Sequence, residues 1–301
     1  MALYAFDGTG NEDRDGELRD SNVLRFFEAY VDPKKNTDPD EKVGSLYLNG
    51  IGVRAKEFIG KAFAEAFGVG GHERVKQALK RLEHNLEAGD RIVDVVGFSR
   101  GAALAMSFAN RVKKEHKDLR IRFVGVFDVV GQFGLPGEHL QAGHVLSLPE
   151  NVDCCRHAMA MDESRALFPL TRLCDDQGSQ SQSLLEVWFR GVHSDIGGGN
   201  GNRALNWIAL QWMFVHAKRA GLPISEAAIA HNLEARGLPG AISHHKVDAS
   251  IERKYFPVDR LHASVVLTPV LPGYNNPTFT LKQFDDEGNL VEVATRPSGT
   301  R

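Results

Sequence analysis

The sequence predicts an α/β fold: a mostly parallel central sheet with helices on both faces. Three observations carry that expectation. Short apolar runs alternate with segments of helical periodicity along most of the chain. Several of those runs end directly in polar, glycine-rich turns, as strands of open parallel sheets do where they face a crevice. The 301 residues are enough to bury one large core.

In chain order, Leu3 to Phe6 reads as a buried strand running into Asp7-Gly8-Thr9-Gly10-Asn11. That loop reads either as an oxyanion or substrate loop or as a turn capped by Asp7. Ser21-Asn22 caps a helix through Tyr30, with Val23, Phe26, Phe27 and Tyr30 on one face. Val43 to Leu48 is a second strand, and Phe58, Ala62, Phe63 and Ala66 have helical spacing. His72 to Leu86 is an amphipathic helix, closed by Gly89-Asp90. Leu119 to Phe127 is a strand ending at Asp128. Residues 132–183 read as a flap or lid region, because Gln132 to Val152 is long, weakly periodic and rich in Gly, Pro and His. Within it, Ala158 to Phe168 is expected to be helical. Leu184 to Phe189 is a strand, Leu205 to Ala220 a helix stopped by Gly221-Leu222-Pro223, and Ser225 to Ala235 a further short helix. Residues 270–301 are expected to form loops and a hairpin turning at Asp285-Asp286-Glu287-Gly288-Asn289. The whole, 1–301, is expected to be one domain.

The chemistry concentrates at Ile92-Val93-Asp94-Val95-Val96-Gly97-Phe98-Ser99-Arg100-Gly101-Ala102-Ala103. An apolar run, Gly-x-Ser-x-Gly and a small-residue helix follow one another, which is the context of a nucleophile elbow. Gly97 and Gly101 flank Ser99 where a Cβ would collide with neighbouring chain. The helix N-terminus would aim free N–H groups at an oxyanion beside the serine. An ordinary tight turn is the bland alternative.

A serine nucleophile needs a base and an orienting acid. Two aspartates, Asp195 and Asp128, stand at strand ends after Ser99; a topology that puts the acid on the second strand after the elbow strand, or one nearby, favours Asp195, with Asp128 the runner-up. His193, His244, His245 and His262 are the candidate bases. Order favours His262, whereas His193 sits inside the glycine-rich turn with Asp195 and would have to converge with it from one tight bend.

Other classes are disfavoured. A net charge of −3 gives no electrostatic case for nucleic acid. No apolar run approaches the ~20 residues of a membrane span. The N-terminus lacks a basic region and Asp7 interrupts any signal-peptide core, so synthesis in the cytoplasm is expected. Three cysteines, Cys154, Cys155 and Cys174, do not suggest a disulfide framework. Gly199-Asn200-Gly201-Asn202-Arg203-Ala204 mimics a dinucleotide fingerprint, but polar residues separate it from the strand. His139 and His144 have no evident third ligand, so no metal and no other cofactor is expected.

Six motifs occur together and in order: Phe6-Asp7-Gly8-Thr9-Gly10-Asn11, Gly50-Ile51-Gly52, Gly89-Asp90-Arg91-Ile92, Gly97-Phe98-Ser99-Arg100-Gly101-Ala102, Gly191-Val192-His193-Ser194-Asp195-Ile196-Gly197-Gly198-Gly199, and His262-Ala263-Ser264-Val265. Over residues 3 to 270 the chain resembles the α/β-hydrolase domain of the type VI secretion lipase effectors with a Gly-x-Ser-x-Gly motif. The resemblance implies a phospholipase or related esterase with a Ser-His-Asp acyl-enzyme mechanism. Motif by motif it implies Ser99, Asp195 and His262 as the triad, with the N–H of Arg100 and one from Gly8 or Thr9 as oxyanion donors. Asp7, His193 and Asp128 would support them. It also implies a phospholipid or other ester substrate, an immunity protein or secretion-apparatus partner, and delivery to a target cell. An esterase acting on a soluble small ester, and a non-catalytic binding module on the same scaffold, are the alternatives.

Overall fold

A computed structural model describes residues 1–8, 20–32, 34, 42–50, 61–131, 146–236, 242–243, 252–266 and 281–291. Thr9, His139, His144, His244 and His245, and the stretches 132–145, 267–280 and 292–301, lie outside the described residues.

The described strands are β1 (Ala2–Phe6), β2 (Leu46–Leu48), β3 (Val93–Phe98), β4 (Ile121–Phe127), β5 (Cys155–Ala160), β6 (Leu184–Phe189), β7 (Arg260–His262), β8 (Lys282–Phe284) and β9 (Leu290–Val291). They form one sheet in the order β2-β1-β3-β4-β5-β6-β7-β8-β9. Every neighbouring pair is parallel except β8 with β9, the antiparallel hairpin at Asp285–Asn289. The helices are α1 (Asn22–Ala29), α2 (Lys61–Glu87), α3 (Ser99–Glu115), α4 (His193–Gly197), α5 (Arg203–Arg219) and α6 (Glu226–Arg236). The fold class is therefore α/β, as the alternation of segments implies.

Alternate side chains of the central strands enter two separate cores. Tyr4, Phe6, Val93, Val95, Val124 and Val126 pack with Leu79 and Leu82 of α2 and Phe108 and Val112 of α3. Leu3, Ala5, Val96, Phe98, Phe123 and Phe127 pack with Phe26 of α1 and with Trp212 and Phe214 of α5. With both faces covered, the central strands are apolar almost throughout rather than alternating. Among the described residues no helix is long and apolar enough to cross a membrane.

One expectation fails clearly. Residues 155–160 lie inside the stretch read as a flap, yet they form β5, paired on both sides by β4 and β6. The expected helix from Ala158 is a strand to Ala160 instead. Cys-Arg-His-Ala-Met-Ala carries no β-branched residue, and its alanines favour helix. Two waiting parallel neighbours override that local preference.

Candidate active site

The parallel topology brings the C-terminal ends of β1, β3, β4 and β6 to one edge of the sheet. At the end of β3, Ser99 opens α3 with φ +59°, a left-handed conformation that is strained for a serine. The flanking glycines have specific causes. A Cβ on Gly97 would stand 2.7 Å from Ala102 Cα, and one on Gly101 would stand 2.3 Å from the Phe6 carbonyl oxygen. The turn, the start of α3 and the end of β1 are thus pressed together, as the motif requires. Ser99 itself is buried.

Asp128 follows β4, the immediate neighbour of β3, and the register pairing Phe98 with Phe127 places it next to Ser99. The Val130 N–H donates to the Ser99 carbonyl at 3.2 Å, tying the two turns. Asp128 is also left-handed, at φ +39°, and its carboxylate is fully buried. His193 opens α4 just after β6 and reaches back across β5, setting Nδ1 2.7 Å from Asp128 Oδ2. Its ring packs on Phe98 and Phe168, with centroids 4.6 and 4.7 Å away. Because Phe98 directly precedes Ser99, the imidazole lies beside the serine turn. Gly197 is small because Phe98 fills the place of its Cβ, 1.9 Å from a ring carbon.

The electrostatics set the protons. Burial acts to raise the pKa of Asp128, but Arg253 and His193 outweigh it, so the carboxyl is held well below its ordinary range. An ionised carboxylate only accepts, so the proton of the pair sits on His193 Nδ1 and Nε2 keeps its lone pair. Burial lowers the pKa of His193 itself, with Asp128 and Glu163 opposing it only in part. A neutral, oriented imidazole results.

The anticipated pairing of His262 with Asp195 is not formed. Asp195 accepts from the Val192 N–H, the Asn200 and Asn202 side-chain amides, and both the N–H and the hydroxyl of Ser243. It holds the glycine-rich turn together. His262 sits at the end of β7, four strand positions from β3, a separation of about 19 Å at ordinary strand spacing. Both its ring nitrogens are engaged, Nδ1 with Ser264 Oγ at 2.8 Å and Nε2 with Asp286 Oδ1 at 3.0 Å, and the ring stacks on Phe189. α4 turns His193 and Asp195 in different directions, so one bend need not deliver both to the serine.

Asp7 is buried and accepts from the Gly8 N–H at 2.6 Å, from the Tyr47 hydroxyl and from the Ser21 hydroxyl. It caps its own loop, and the Gly8 N–H is engaged there. The backbone N–H of Arg100 lies in the first turn of α3, and its guanidinium stands 6.0 Å from the Phe168 ring. Burial lowers the Arg100 pKa to about 10.

Sequence reasoning missed several residues around the pair. Glu163 accepts from the His193 N–H at 3.2 Å, and Asp162 accepts from the Gly191 N–H at 2.8 Å. His157 accepts from the Val129 N–H and is itself held by Glu186. Arg253 makes a two-armed contact with Asp128. The nearest signal was the unbroken run Met159-Ala160-Met161-Asp162-Glu163, where two acids directly follow what proves to be a strand.

A family model described as "T6SS, Phospholipase effector Tle1-like, catalytic domain" matches residues 3–115 and 105–216, more than half of the chain. No curated protein sequence matches it. Among solved structures, the chain is similar to an uncharacterized protein from Pseudomonas aeruginosa, with a TM-score of 0.52 at 20% identity over 78% of this chain. It covers 48% of that protein, about half its length, and the likeness is one of fold alone.

Proposed function

Because the chain belongs to the family of T6SS Tle1-like phospholipase effector catalytic domains, we propose that it is a serine hydrolase cleaving the carboxylic esters of phospholipids. In this reading residues 1–301 contain one α/β-hydrolase-type domain. Ser99 is the nucleophile, His193 the general base and Asp128 the orienting acid. The observation that carries the assignment is the 2.7 Å contact between His193 Nδ1 and Asp128 Oδ2, made beside the Ser99 turn.

Ser99 Oγ attacks the ester carbonyl and its proton passes to His193 Nε2. Negative charge develops on the carbonyl oxygen, where the Arg100 N–H and the N-terminal end of α3 stabilise it. The ester C–O bond breaks, His193 returns the proton to the departing alcohol, and Ser99 carries the acyl group. Water, deprotonated by His193, then releases the acid and restores the serine. Asp128 stays ionised and stabilises the imidazolium in each half-reaction. No step calls on a metal or cofactor. Delivery to a target cell, and an immunity protein in the producing cell, belong to the same proposal.

The test has two arms. A fluorophosphonate probe is expected to label Ser99 in the native chain and not in Ser99→Ala. Turnover is then compared between a phospholipid panel and short-chain nitrophenyl esters. Labelling with lipid turnover supports the reading. Labelling with nitrophenyl turnover alone points to an esterase of soluble substrates. A folded chain that neither labels nor turns over is a binding scaffold, and overturns the proposal.

A further inference from the structure

Arg253 lies beyond the last residue of the family match, in the described stretch 252–259 that precedes β7. It is buried, and its donors join three separate parts of the site. Nη1 and Nη2 donate to the two oxygens of Asp128 at 3.1 and 3.0 Å. Nη2 also donates to the Phe168 carbonyl at 3.2 Å, and Nε to the Glu163 carbonyl at 3.3 Å. Phe168 packs on the His193 ring, and the Glu163 side chain accepts from the His193 N–H.

The Asp128 carboxylate is thereby saturated. Oδ1 accepts from Arg253 and from the Ala160 N–H at 2.9 Å; Oδ2 accepts from Arg253 and His193. A buried carboxylate with one donor removed would be free to rotate or to take up a proton. The planar fork suits both oxygens at once, which a single ammonium does not. The stretch that carries Arg253 is itself anchored. Asp259 makes a two-armed contact with Arg172 and accepts from Trp188 Nε1, while the Tyr255 hydroxyl donates to the Met161 carbonyl.

We propose that Arg253 is a positioning residue of the reaction, fixing Asp128 in the one orientation that serves His193, so that a segment outside the matched domain completes the active site. The proposal rests on the reading of Ser99, His193 and Asp128 as the triad. Arg253 also adds positive charge beside the Asp128–His193 pair. Among the described residues Glu163, itself paired with Arg165, also acts on the pair. Loss of the cation makes the pair hold a proton more tightly, so the acid limb of reactivity moves to higher pH.

The experiment measures the rate of fluorophosphonate labelling at Ser99 across pH in the full chain, with circular dichroism and thermal melting run alongside. Arg253→Ala is expected to label about a hundredfold more slowly, the scale of a small misplacement of a catalytic group, with its acid limb shifted upward. Methylguanidinium at non-denaturing concentration is expected to restore part of the rate. Arg253→Lys keeps the charge without the fork; its rate is expected to fall while its acid limb stays near that of the parent. A folded Arg253→Ala or Arg253→Lys chain with the parent's rate and pH profile overturns the proposal alone. If Arg253→Ala does not fold, Arg253→Lys decides the outcome. A folded parent chain that does not label at Ser99 overturns the triad reading, and this proposal with it.

Discussion

Asp128 and His193 are 65 residues apart in sequence, and their facing oxygen and nitrogen are 2.7 Å apart. The contact spans β5, because Asp128 follows β4 and His193 follows β6. In the proposed reading it makes His193, and not His262, the histidine that serves Ser99.

His193→Ala is therefore expected to lower kcat for ester hydrolysis by three orders of magnitude or more, on the scale of losing a triad base. His262→Ala should keep activity within about tenfold, equivalent to about 1.4 kcal/mol. Its cost should appear in stability instead, on the order of 1–3 kcal/mol, since it removes a buried ring stacked on Phe189. Steady-state kinetics beside urea melts separate the two, and the reverse ranking would return the base to His262.

The acids should part in the same way. Asp128→Asn is expected to reduce kcat by about four orders of magnitude through loss of the correct imidazole tautomer. Asp195→Asn replaces an acceptor surrounded by five donors. It should cost about 1–3 kcal/mol of stability and affect kcat less than Asp128→Asn does. Kinetics on material shown to be folded by near-UV dichroism checks both.

Strain at the serine offers a test independent of substrate. In an ordinary helix position glycine is about 1 kcal/mol less stable than alanine. At φ +59° the order should invert, because a Cβ in the left-handed region costs about 1–2 kcal/mol. Ser99→Gly is expected to equal or exceed Ser99→Ala in denaturant unfolding, with both inactive. A Ser99→Ala chain clearly the more stable of the two would mean that the turn relaxes.

The acid limb of kcat/KM should lie below 6.5, the ordinary histidine value, because burial depresses the pKa of His193. The base acts when neutral, so activity is present above that midpoint and falls as pH drops through it. A limb at or above 6.5 in the parent chain would contradict the depressed value.

Stability should show its own acid transition. Burial acts to raise the pKa of Glu186, but His157, Arg172 and the Leu173 N–H overcome it and bring the group down to about 2 from an ordinary 4.5. A depressed folded-state pKa gives stabilisation that is full above 4.5 and lost as pH falls toward 2, here on the order of 3 kcal/mol. Glu186→Gln is expected to be less stable near neutrality and to lose less between those limits. Urea midpoints across that range measure it; an unchanged slope would remove Glu186 from the account.

Much of this arrangement is legible in the residues themselves. Strand, Gly-x-Ser-x-Gly and small-residue helix mark the Ser99 turn, because a close backbone approach leaves a local trace in glycine and alanine. Asp128 and His193 both stand among the candidates, at a strand end and in a glycine-rich turn. Which acid meets which base depends on strand order, and strand order leaves no local trace. β5, inserted between β4 and β6, sets the span that His193 crosses, and its Ala- and Met-rich sequence hides it. Arg253 was harder still to see. It comes from an aperiodic stretch and gains its meaning only from the three loops it joins.

The β2 edge of the sheet carries a consequence for how the chain behaves at high concentration. Among the described residues β2 has three residues, whereas β3 to β6 have six or seven. A strand that short offers another chain few backbone partners. The long apolar strands β3 to β6, which would template self-association if exposed, are internal to the sheet. The β2 edge is thus expected to resist edge-to-edge assembly, and aggregation through it should require loss of that strand first.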